Sequence, residues 1–148
     1  MRSVRDPQAR QALIARVRQL SPDRQRRWGR MEVGQMVAHV SDQLRMAVGE
    51  VGIQAVRGPF RFRPMRYLIV HLLPWPKGRA KAPPEAFTTS PTTLDADCRT
   101  LVALIERFAA TPPEQLAPLH PLFGRMTSRD WDVLSYRHLD HHLRQFGV

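Results

Sequence analysis

Cysteine is nearly absent: Cys98 stands alone in 148 residues, which excludes an internal disulfide and any zinc site built from several thiolates. Alone, it reads as a small apolar helix residue rather than a reactive thiol. Long hydrophobic runs are missing as well. The longest, Tyr67 to Leu73, contains His71 and falls well short of the ~18 residues a membrane-spanning helix requires. The opening residues carry Arg2, Arg5 and Asp6 and no apolar signal core, so the expectation is a cytoplasmic protein with no membrane partner. Alternating strand patterns are nowhere convincing. A Gly-rich phosphate loop, a G-x-S-x-G nucleophile and a supported Cys/His pair are all lacking, so covalent catalysis by serine or cysteine is not expected.

Acidic residues are also scarce where basic ones gather. Residues 1–30 hold nine arginines against Asp6 and Asp23, residues 51–82 hold seven basic residues and no acid, and the formal net charge is +10. Such patches attract polyanions through phosphate contacts that are independent of sequence. No zinc finger, RNP-type strand or helix-turn-helix spacing converts this charge into recognition. A solvated basic surface is therefore favoured over a nucleic-acid partner.

What is present is helical periodicity. The length fits one domain over residues 1–148. Residues 7–20 form an amphipathic pattern that stops near Ser21-Pro22, and Val33, Met36, Val37, Val40, Leu44 and Val48 mark a core-facing helix over Met31 to Val48. Glycine and proline punctuate residues 49–90, leaving room for a short helix over Met65 to Leu73 inside a long crossover. Ser90-Pro91 suits the start of a third helix striped by Leu94, Cys98, Leu101, Val102, Ile105 and Phe108, which Pro112-Pro113 ends. Thr127, with Asp130 three residues on, suits the start of the last helix. The expected fold is all-α: a four-helix bundle with a long crossover between the second and third main helices, an architecture that builds metal sites from facing helices.

Three of the six histidines fall within His138-Leu139-Asp140-His141-His142. His138 and His142 are four residues apart and share one helix face, so both can offer a nitrogen to one ion. Two ligands need a third, and His39, alone on an apolar stripe, is the natural candidate. The usual explanation for such a histidine is a hydrogen-bonded core residue. His141 is rotated by about 100° from His142 and reads as a surface residue or an outer partner of the site, while Asp140 reads as solvent-facing. Asp42, three residues after His39, is a candidate base, outer partner or alternative ligand alongside His141. Leu139 occupies the position where a zinc peptidase carries its glutamate base. His71 and His120 fall in proline-bounded loops and read as structural or solvated. Trp28 and Trp131 read as core anchors, and Trp75 as a pocket-rim or subunit-contact residue.

The segment from His120-Pro121-Leu122-Phe123-Gly124-Arg125-Met126-Thr127 through Trp131 to Tyr136-Arg137-His138-Leu139-Asp140-His141-His142-Leu143-Arg144-Gln145-Phe146-Gly147 closely resembles the C-terminal signature of one branch of the DinB/YfiT-like superfamily. Trp28-Gly29-Arg30-Met31 with Gln35-Met36-Val37-Ala38-His39 is similar to that branch's second-helix motif. Pro76-Lys77-Gly78 and Pro83-Pro84-Glu85 resemble its central crossover. The resemblance implies an up-down-down-up four-helix bundle, often a homodimer, in which His39, His138 and His142 hold a divalent metal. Superfamily relatives include thiol-dependent transferases and isomerases, but this branch brings no agreed reaction.

The leading expectation is a metal-dependent transferase or hydrolase acting on a small anionic or thiol substrate, since three neutral imidazoles leave an ion its full charge and open coordination positions. Zinc or nickel heads the choice of metal, with iron and manganese chemically acceptable. The alternative is a non-catalytic basic module that binds nucleic acid or another anionic partner.

Overall fold

A computed structural model describes residues 2–53, 58–78 and 87–148. The expected likeness at Pro83-Pro84-Glu85 lies outside the described residues. The structure is mostly helical. Helix α1 spans Pro7–Val17, with Asp6 accepting the Ala9 amide at 2.7 Å and Pro7 at the first helical position, where its missing N–H costs nothing. It ends three residues before the periodicity does, because the amides of Gln19 and Leu20 turn back onto Arg16 and Val17.

Helix α2 spans Val33–Ala47 and starts with a reciprocal cap between Glu32 and Gln35. Its end is a Schellman turn: Gly49 takes a left-handed φ of 81°, its amide bonds the Met46 carbonyl, and the Glu50 amide bonds that of Arg45. The crossover then holds a short helix α3 over Arg63–Tyr67, continued by a π turn over Leu68–Leu72. Helix α4 spans Leu94–Ala110. Its start lies later than Ser90-Pro91 suggests, since Thr93 supplies the cap to Ala96 while Thr92 bonds Asp97.

Helix α5, Ser128–Gln145, begins at the Thr127/Asp130 capping box that the spacing indicates. Between α4 and α5 lies a feature with no alternating pattern to announce it. Strands β1 (Leu119–His120) and β2 (Gly124–Arg125) pair antiparallel, Leu119 against Arg125 and His120 against Gly124.

Helices α1 and α2 each pack against both α4 and α5. One buried cluster joins them, including Met36 and Leu44 from α2, Leu101, Ile105 and Phe108 from α4, and Trp131, Leu139 and Leu143 from α5. Each such side chain contributes roughly 1.5–3 kcal/mol by leaving water. Two hydrogen bonds lock the α4–α5 connection onto this core: the Trp131 indole donates to the Ala117 carbonyl at 2.6 Å, and the Ala117 amide donates to that of Ala47 at 2.9 Å. The crossover is tied to α5 by Arg137, whose guanidinium donates to the carbonyls of Ile69, Val70 and Leu73. Among the described residues no helix is long and apolar enough to cross a membrane.

Candidate metal centre

His39 lies one turn after Met36 on the buried stripe of α2, and the i,i+4 spacing of His138 and His142 points both rings from α5 toward it. One ring nitrogen from each of the three lies within 4.8 Å of the others. Nε2 of His39 and Nε2 of His138 are 2.9 Å apart, and all three rings meet edge to face at centroid distances of 4.7 to 4.9 Å. One turn away, Gln43 donates to the Ser135 hydroxyl at 3.2 Å, fastening α2 to α5 at this level.

Burial keeps the two α5 imidazoles neutral. Desolvation first, then the neighbouring His142 and His39, holds His138 well below the ordinary histidine range. Desolvation likewise brings His142 down to about 3, against a smaller opposing pull from Gln145. Nδ1 of His142 lies 2.8 Å from Oε1 of Gln145, while Nε2 of Gln145 donates to the Trp28 carbonyl at 2.7 Å. With its amide N–H₂ committed to that carbonyl, Gln145 presents oxygen to His142 and so selects the tautomer protonated at Nδ1. The Nε2 lone pair is thereby left for the cluster. Gly29 makes room for this arrangement: its φ is 78°, and a Cβ there would stand 2.6 Å from the Gln145 amide nitrogen.

Aromatic and cationic side chains surround the three rings. Phe87 stacks on His39 at 4.9 Å, Trp75 lies 6.0 Å from both His138 and His141, and Trp28 lies 5.5 Å from His141. Lys77 stands over Trp28 and Arg137 over Trp75. Nδ1 of His138 is buried and has no hydrogen-bond partner among the described residues.

The remaining candidates are placed as follows. His141 is half-buried, edge-on to His142 at 5.1 Å. Asp42 is fully buried and outside the converging group; its carboxylate accepts from the amides of Thr88 and Thr89, the Thr89 hydroxyl and Arg45. It pins the chain next to Phe87, and hence next to His39. Asp140 is not free in solvent: it pairs with Arg16 at 2.7 Å and Arg144 at 3.0 Å, joining α5 to α1. His71 lies on the π turn rather than in a loop, buried and 2.7 Å from Asp130. His120 is buried in the hairpin, accepts at Nδ1 from the amides of Leu122 and Phe123, and packs 5.3 Å from Trp131. Trp131 is the core anchor it resembles, whereas Trp28 is only part-buried and faces His141. Sequence reasoning missed Gln145 and Phe87. The signal for Gln145 was its position three residues after His142, on the same helical face; Phe87 lies in the proline-rich crossover and had no such signal.

The chain belongs to the family described as "Protein of unknown function (DUF1569)", which matches residues 5–147. No curated protein and no solved structure matches it.

Proposed function

We propose that this member of the family is a divalent-metal-binding protein of the DinB/YfiT-like four-helix-bundle type, with His39, His138 and His142 as ligands. In this reading it acts as a metal-dependent transferase or hydrolase on a small anionic or thiol substrate. The observation that carries the proposal is the convergence of three imidazole nitrogens within 4.8 Å, on two helices, in surroundings that hold His138 and His142 unprotonated.

The donor set suits a borderline cation such as zinc or nickel, with iron and manganese also accommodated. When bound, such an ion supplies Lewis-acid activation of water or a thiol. The chain's own residues do the rest. Gln145 fixes the His142 tautomer through Trp28, the tie between Gln43 and Ser135 holds the two ligand-bearing helices in register, and Phe87 shields one face of His39. Lys77, close to the Trp28 ring, supplies positive charge beside the aromatic rim for an anionic substrate group. Leu139 is fully buried in the core, so the reading assigns no general base next to His138.

A homodimer belongs to the same proposal, supported by large apolar side chains left more than half exposed on the crossover, namely Phe62 at 58%, Leu72 at 56% and Phe87 at 53%. Sedimentation of the purified protein measures it directly. The alternative, a basic module for nucleic acid, is less well supported, because many arginines are engaged internally. Arg5 binds Asp132 and two carbonyls, Arg10 pairs with Glu106, and Arg16 pairs with Asp140.

The deciding experiment is metal stoichiometry. Protein reconstituted with zinc or nickel should hold about one ion per chain, and His39→Ala, His138→Ala or His142→Ala should each lose most of it. Undiminished metal in the His39→Ala protein would remove the ligand assignment.

A further inference from the structure

A second cluster of chemistry lies about 12 Å along α5 from His138, counting eight residues at 1.5 Å each from Asp130. A cleft of about 450 Å³ opens between α3 and the start of α5, lined by Arg63, Arg66, Tyr67, His71, Arg129 and Asp130 among others. Its size is that of small-molecule sites. Arg63 and Arg129 are exposed and have no ion-pair partner among the described residues. Arg66 is held in place at the wall, its guanidinium donating to the Arg125 carbonyl and lying 3.8 Å from Asp130.

The acid in the cleft is already engaged. Asp130 accepts from the Thr127 amide at 3.0 Å and lies 2.7 Å from Nε2 of His71. Desolvation pushes its carboxyl up, but the hydrogen bonds from His71 and Thr127 outweigh that and hold it below the usual range, so it stays ionised and partnered. Three guanidiniums against one carboxylate leave two positive charges facing the cleft (3 − 1 = +2). The ring of Tyr67, stacked 4.8 Å from His71, forms an apolar wall beside them.

We infer that this cleft binds the phosphoryl group of a small phosphate ester, with Arg63, Arg66 and Arg129 as its donors and Tyr67 against the organic portion. A phosphate monoester carries about −1.5 to −2 charges near neutral pH, which matches the two uncompensated positive charges. Guanidinium forks suit its oxygens better than any other side chain. His71, tied down by Asp130, belongs to the lining of the same space.

The site requires no metal, so it can be tested on the full chain with metal removed by chelator, and its failure would leave the three-histidine reading untouched. Thermal unfolding is followed in inorganic phosphate, in glycerol phosphate and in chloride of equal ionic strength, and binding is measured by calorimetry. Saturable stabilisation by phosphate at one site per chain is expected, weakened roughly tenfold for each of Arg63→Gln and Arg129→Gln. Both arginines are exposed, and the melting temperature of each variant in chloride reports folding separately. Vesicles of phosphatidic acid in phosphatidylcholine distinguish a lipid source of the phosphoryl group: co-sedimentation that glycerol phosphate displaces assigns a headgroup, and tight glycerol phosphate binding with no co-sedimentation assigns a soluble ester. Equal stability in phosphate and chloride, or an unchanged phosphate response in the double variant, overturns the inference.

Discussion

Gln145 lies one turn beyond His142 on α5, and its amide bridges that imidazole to the Trp28 carbonyl through contacts of 2.8 and 2.7 Å. A group that selects the tautomer of a ligand typically contributes a factor of 10–100 in metal affinity. Gln145→Ala is expected to weaken zinc binding by about that factor in a competition titration against a chromophoric chelator, with stoichiometry at saturation unchanged. Identical affinity in the variant would place Gln145 outside the site's chemistry.

An ion held by three imidazoles keeps room for an exchangeable ligand. Cobalt-substituted protein should therefore develop an intense near-ultraviolet charge-transfer band on addition of a small thiol. A spectrum that does not respond while cobalt stays bound would indicate a closed site, with His141 the first protein ligand to replace.

His120 supplies a pH dependence of known sign. Desolvation holds it down to about 3, and its Nδ1 accepts two backbone amides, so the folded protein keeps it neutral while the unfolded chain protonates it near 6.5. Its contribution is complete above about pH 6.5 and is lost progressively as pH falls toward the folded value. Between pH 7 and pH 5 this amounts to about 2 kcal/mol for one such group. Denaturant unfolding should show that loss, and His120→Asn, which keeps an acceptor for the two amides, should flatten the slope in this window. A slope that is the same in both proteins would assign the acid sensitivity elsewhere.

The arginines before α2 should be dispensable. Arg26 pairs with Glu32 at the surface, and exposed pairs contribute roughly 0–1 kcal/mol. Replacing Arg24, Arg26, Arg27 and Arg30 together by Gln is expected to lower stability by about 1 kcal/mol at most and to leave metal loading intact. Unfolding of the variant would show that these side chains are internally paired. Sequence-selective DNA binding at physiological salt that disappears in the variant would promote the nucleic-acid reading over the metal one.

The parts of this molecule legible in the sequence are those encoded by local rules. Thr127 and Asp130 mark the start of α5 because a capping box needs only those two residue types three apart. The stripe of Met36, Val40 and Leu44 marks α2 because 3.6-residue periodicity follows from burial of one face. Ser90 and Thr93 are chemically equivalent caps in the sequence, and the structure starts α4 at Thr93, whose hydroxyl accepts the Ala96 amide. The hairpin at Leu119 to Arg125 is too short for alternation to register. Asp42 reads as a partner of His39 and Asp140 as a surface acid, and the burial of one and the pairing of the other depend on partners more than 40 and 120 positions away in the chain. Long-range polar pairing leaves no periodic trace.

Six imidazoles in one small chain would ordinarily invite an incoming cation to bind in several places. One of them is masked much as a synthetic chemist masks a reactive amine: buried His120 has its acceptor nitrogen Nδ1 occupied by two backbone amides, which leaves Nε2 carrying the proton. The hydrogen bonds act as protecting groups that are removed only by unfolding. Faithful loading of the His39, His138 and His142 cluster should therefore depend on the chain being folded before it meets metal, and refolding in the presence of excess zinc should yield trapped, mis-ligated species that refolding in chelator does not.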